Sequence, residues 1–80
     1  MSKSIYNEEY RKLIDALKAA RLEAGLTQQQ VADALGRPQS FVAKVEGYER
    51  RLDVIEFVKL CRILEKEATN ILIDLGLDGL

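Results

Sequence analysis

Between Thr27 and Gly47 the chain reads TQQQVADALGRPQSFVAKVEG, two short apolar-periodic segments separated by Gly36 and Pro38. One continuous helix cannot run through that stretch. Glycine readily takes the left-handed conformation that ends a helix, and proline is tolerated only at a helix start, where its missing amide hydrogen is no loss. The segment therefore divides into a helix ending at Gly36 and another starting beside Pro38. Its entry is also marked: the Thr27 hydroxyl can accept the Gln30 amide while the Gln30 side chain reaches back, with Leu26 and Val31 placed to staple the turn. The same device recurs at Asp53, with Glu56 three residues later and Leu52 and Phe57 in the staple positions, which predicts a fourth helix from near Val54.

The flanking sequence supplies helices for this pair to pack on. Tyr10, Leu13, Leu17, Ala20 and Ala24 recur at spacings of three and four with Ile14 alongside, the stripe of an amphipathic helix that Asn7 can cap and Gly25 stops. Glu8 and Glu9 suit the positive end of its dipole. The fourth helix is expected to carry Val54, Phe57, Val58, Cys61 and Leu64 on one face. A fifth, roughly Ala68 to Leu75, is expected to bury Ala68, Ile71, Leu72 and Leu75 before Gly76 and Gly79 loosen the end. EKEAT offers no clean stop between these last two helices. No strand pattern, repeat, linker or low-complexity tract is found. The expectation is a single all-α domain over 1–80, a compact five-helix bundle with its helix-turn-helix at 28–47.

Composition removes most chemistry. With no histidine and a single cysteine, Cys61, neither a zinc site nor an internal disulfide is expected, and no metal or cofactor is implied. The dispersed carboxylates form no convincing catalytic pair and no Walker-type loop occurs, so an enzyme is not expected. No apolar run approaches the ~18 residues of a membrane span and the amino terminus lacks a secretion signal, which makes cytoplasmic residence the default and a membrane partner unexpected. A net charge of -1 and a pI near 5.4 speak against a nucleic-acid partner. Counting by segment weakens that objection. From 37 to 51, Arg37, Lys44, Arg50 and Arg51 outweigh Glu46 and Glu49, whereas from 65 to 80 Lys66 stands against Glu65, Glu67, Asp74 and Asp78.

Two short helices across a tight glycine turn form the helix-turn-helix unit, whose second helix can lie in a DNA major groove. Ala32 supplies the small side chain that such close-crossing helices need, and Val31, Leu35, Val42 and Val45 supply apolar seats. The stretch LKAARLEAGLTQQQVADALG followed by RPQSFVAKVEGYERRLD resembles the XRE family of helix-turn-helix regulators, which includes Cro and the phage repressors, over roughly 13–64. The resemblance implies a sequence-specific DNA-binding regulator.

On this reading Gln39, Ser40, Ala43 and Lys44 share an outward face of the recognition helix. Glutamine can pair bidentately with adenine, lysine can donate to guanine, serine is permissive, and Ala43 can touch a thymine methyl. Phe41 either does the same or packs partly buried. Gln28, at the start of the preceding helix, is a candidate phosphate clamp, with Arg37, Tyr48, Arg50 and Arg51 as further phosphate contacts. Gln29 and Gln30 can do no more than solvate and cap. Arg21 and Glu46 both fall on apolar faces; a carboxylate aimed at DNA would be repelled, so the economical reading pairs them between helices one and three, and the resembled family contains such a pair. Tyr6, Tyr10 and Cys61 read as core or its rim, and Arg11, Lys12 and Lys18 as a solvated face.

Ile73, Leu77 and Leu80 leave a second apolar side on the carboxyl end, 67–80, and suggest the contact of a homodimer whose two recognition helices lie about 34 Å apart on double-stranded DNA. The alternative is a protein-interaction module of antitoxin or adaptor type on the same scaffold.

Overall fold

Side chains fix where the helices begin. Asn7 Oδ1 accepts the Tyr10 amide at 2.8 Å and opens α1 (Glu8–Glu23). Both capping boxes close. Thr27 Oγ1 accepts the Gln30 amide at 3.0 Å while Gln30 Oε1 accepts the Thr27 amide at 2.8 Å, opening α2 (Gln28–Leu35). Asp53 Oδ1 accepts the Glu56 amide at 2.7 Å while Glu56 Oε1 accepts the Asp53 amide at 3.0 Å, opening α4 (Val54–Ile63). The structure is a computed structural model and describes residues 7–79. Among these, α3 (Gln39–Glu46), α5 (Ala68–Asp74) and a short 3-10 turn (Leu77–Gly79) complete an all-α bundle with no strand.

The break between α2 and α3 has a definite conformation. Gly36 adopts φ 72°, in the left-handed region, and the Arg37 amide reaches back to Ala32 O at 2.9 Å. Pro38 stands just outside α3 as its N-cap, with extended backbone and no side-chain cap bond. The reversal lays α2 against α3 with Ala32 fully buried between neighbours, and α1 and α4 support the pair from behind. Tyr10, Ile14, Leu17 and Ala20 of α1, Val31 of α2, Phe41, Val42 and Val45 of α3, and Leu60, Cys61 and Leu64 at the end of α4 form one core.

Several expectations for the helix faces need correction. Ala24 caps the end of α1 and is exposed rather than part of the buried stripe. Val54 shares Cys61's side of α4 but lies two turns upstream, where no neighbouring helix covers it, and it is 74% exposed. Phe57 and Val58 are half-buried, and the buried face centres instead on Leu60, Cys61 and Leu64. In α5 no residue is fully buried: Ala68 and Ile71 pack against the core, while Leu72 and Leu75 are half-buried. Seven residues give α5 only two turns, too little surface for a wide buried face. Tyr6 and Leu80 lie outside the described residues.

Candidate nucleic-acid interface

One face of α3 is fixed by burial and the other is left open. Phe41, Val42 and Val45 point into the core; Gln39, Ser40 and Lys44 are exposed, and Ala43 is half-buried between the two sides. Phe41, 8% exposed, is thereby a packing residue. The open face offers an amide, a hydroxyl and an ammonium, the donor and acceptor types that read base edges.

Behind that face runs a polar chain that ties three helices together. Arg21, near the end of α1, makes a bidentate pair with Glu46 at the end of α3: Nε to Oε2 at 2.7 Å and Nη2 to Oε1 at 3.0 Å. Its Nη1 donates to Leu26 O at 2.8 Å. Both side chains are only 10% exposed, and the hydrogen bond to Glu46 raises the Arg21 pKa against the opposing effect of burial. Gln28 extends the chain, its Nε2 donating to Glu46 Oε1 at 2.9 Å and its Oε1 accepting from Gln39 Nε2 at 2.6 Å. The Gln28 amide is therefore bonded at both ends and orients Gln39, a role that sequence reading, which made it a phosphate clamp, did not see.

A second cluster lies around the first turn of α3. Arg37 and Arg50 stack on the Phe41 ring, their guanidinium carbons 4.6 and 4.8 Å from its centroid. Both also donate to Glu56 Oε2, at 2.8 and 3.1 Å. Tyr48 turns towards α1, where its hydroxyl donates to Asp15 Oδ1 and Arg11 covers its ring. That bond to Asp15 raises the tyrosine pKa. Arg11, read from sequence as merely solvated, thus has an aromatic partner, and Arg51 lies over the Tyr10 ring.

Burial by itself would push the Glu56 carboxyl up; the Asp53 amide, then Arg50 and Arg37, outweigh it and hold the group below the usual carboxylate range. A carboxyl depressed in the folded state contributes stability in full above its unfolded value of about 4.3 and loses it as pH falls through the lower folded value. The gap in melting temperature between the wild type and Glu56→Gln is therefore expected to be constant from about pH 7 to 5 and to narrow below about pH 4 in thermal melts.

A family model described as helix-turn-helix matches residues 17–70. Among solved structures, an XRE-family-like protein from Pseudomonas syringae pv. tomato is 50% identical, with 92% of this chain and 90% of that one covered and a TM-score of 0.85. The chain belongs to the XRE-type helix-turn-helix family. The clp gene regulator ClgR from Corynebacterium glutamicum shares the fold at 18% identity, with a TM-score of 0.77 over 88% of this chain and 74% of that one. No curated protein matches significantly.

Of the residues read as a dimer contact, Ile73 is exposed and Leu77 half-buried. The amino-terminal turn of α4 adds two exposed apolar side chains that sequence reading did not single out as a surface, Val54 and Ile55. No helix among the described residues is long and apolar enough to cross a membrane, and no group of three or more candidate ligands there could hold a metal ion.

Proposed function

We propose that this helix-turn-helix protein is a sequence-specific DNA-binding transcriptional regulator, a repressor that occupies an operator as a homodimer. The observation that carries the reading is the open face of α3, where Gln39, Ser40 and Lys44 stand clear of the subunit while Gln39 is held from behind by Gln28, itself anchored on Glu46. Preorganised side chains of these types suit the major groove: Gln39 reads adenine, Lys44 reads guanine, Ser40 accepts several bases and Ala43 meets a methyl group. Arg37, Arg50 and Arg51 flank the groove as phosphate contacts, joined by the second Nε2 hydrogen of Gln28, while Tyr48 gives its hydroxyl proton to Asp15 and takes no part. Ile73 and Leu77, with Leu80, join two copies so that two modest positive footprints add.

Selection of bound sequences from a random duplex pool, followed by anisotropy over a salt series, tests this reading. Wild-type affinity should fall steeply as salt rises, and the selected site should be palindromic or nearly so. Lys44→Ala should cost about 1 to 3 kcal/mol at one base pair of each half-site and relax the preference there. A Lys44→Ala protein that selects the same sites as the wild type would remove Lys44 from the reading face. The exposed Val54, Ile55 and Ile73 favour a second reading, a protein-interaction module; absence of duplex binding at low salt together with a stoichiometric protein partner would decide for it.

A further inference from the structure

Glu56 does more than its place in the capping box requires. One oxygen, Oε1, accepts the Asp53 amide and closes the cap; the other, Oε2, receives Nη2 of both Arg37 and Arg50. Arg50 Nη1 adds a third arginine bond, to Oε1 at 3.2 Å, and also donates to Arg51 O. The carboxylate is 11% exposed, whereas the two arginine side chains are 43% and 41% exposed. A side chain fixed by its own helix start thus grips two cations that remain partly in solvent.

Two guanidinium groups drawn to one oxygen atom repel each other and lie beside the positive end of α4, so without the carboxylate they would move apart into water. With it, they keep donors to spare. A guanidinium has two forks of paired N–H groups, and each Nη2 belongs to both. Arg50 places its terminal fork on Glu56 and leaves the fork of Nε and Nη2; Arg37 places one Nη2 hydrogen there and leaves the other fork complete. The Phe41 ring limits how far either group can swing. Two arginines and one carboxylate leave a net single positive charge, which one phosphodiester would neutralise. Arg37 immediately precedes Pro38 and the first turn of α3, so the pair stands at the edge of the face that carries Gln39 and Ser40.

We propose that Glu56 is a positioning residue for DNA: it holds Arg37 and Arg50 against Phe41 so that their open forks together seat one backbone phosphate at the rim of the recognition helix. The assignment rests on the DNA-binding reading above. It has an uncommon consequence. Removing a negative charge from the interface should weaken DNA binding, because the loss of arginine placement exceeds the gain in attraction.

Glu56→Gln suits the test, since Gln30 closes the other capping box of this chain and a glutamine at 56 can close this one. Affinity for a generic duplex would be measured by anisotropy over a salt series for the wild type, Glu56→Gln, Arg37→Ala and the double variant, with thermal melts to normalise for folded protein. Arg37→Ala should lower the salt slope by about one phosphate. Glu56→Gln should weaken binding about threefold or more where Arg37 is present, and by less where Arg37 is absent and only Arg50 loses its placement. Arg50→Lys, which keeps the charge but not the fork, should weaken binding as well and does not disturb the cap.

Tighter or unchanged binding by Glu56→Gln or by Arg50→Lys, or an equal loss with and without Arg37, overturns the assignment while leaving the DNA-binding reading intact. Failure of the wild type to bind duplex at low salt removes both.

Discussion

Glu46→Ala is expected to cost about 3 to 5 kcal/mol of folding stability, because it leaves a buried guanidinium without its counter-charge. Arg21 and Glu46 are each 10% exposed, and Arg21 would retain only the Leu26 carbonyl. Gln28 Nε2 would lose its acceptor in the same step. Domains of this size are stable by only about 5 to 15 kcal/mol, so the loss is a large share of the total and should lower the melting temperature by more than about 10 °C. In urea the midpoint should fall with an unchanged slope. A melting temperature within a degree or two of wild type would show that the pair contributes nothing net. The contrast is with Arg50, whose side chain is 41% exposed: its contact with Glu56 should be worth no more than about 1 kcal/mol to folding. Position in the fold, rather than the number of contacts, separates these two arginines.

Much of the architecture is legible in the sequence because it is written in local chemistry. Thr27 with Gln30 and Asp53 with Glu56 are spaced to cap, and they cap; Gly36 is free to take a positive φ, and it does. Helix ends made by residues without that freedom are not legible. Glu65 adopts φ 57° after α4, where the Lys66 amide returns to Cys61 O, and Tyr48 adopts φ 63° after α3. Neither is a glycine, so EKEAT gave no sign of a stop, and Tyr48 was aimed from sequence at a phosphate rather than at Asp15. Hydrophobic period likewise places a residue on a face but does not say how far neighbouring helices extend over it, which is why Val54 reads as core and stands in solvent.

The site divides along the same line. The open face of α3 follows from helical period alone, since Phe41, Val42 and Val45 must turn inwards together. Partners distant in the chain do not follow from it: Gln28 and Gln39 are 11 positions apart, and Arg37 and Glu56 are 19 apart. Glu56 is the sharpest case. Its capping role is a spacing that sequence shows, and that role conceals the other, since only the returning loop after α3 brings Arg50 to the same carboxylate.

Ala32→Leu should separate folding from recognition. Ala32 is 0% exposed, in the helix that packs most closely on α3. Leucine is nearly as good a helix former as alanine, so propensity changes little; the cost is the extra methylenes forced between two helices, about 1 to 3 kcal/mol. Local repacking offers little relief, because Val31 next to it is 1% exposed and the small core cavity lined by Ile14, Val31 and Leu35 is not bordered by Ala32. The easier response is for α3 to move away from α2. That motion breaks no backbone bond within either helix, but it pulls Gln39 from Gln28 and Glu46 from Gln28, and so releases the side chain proposed to read adenine. The folded fraction at 25 °C should remain high while affinity for the selected operator falls by at least about tenfold, and non-specific affinity, which depends on phosphate contacts, changes less. Parallel losses of operator and non-specific binding would mean that the whole surface has collapsed. Unchanged operator binding would mean that the seat of α3 on Ala32 does not set the aim of its open face.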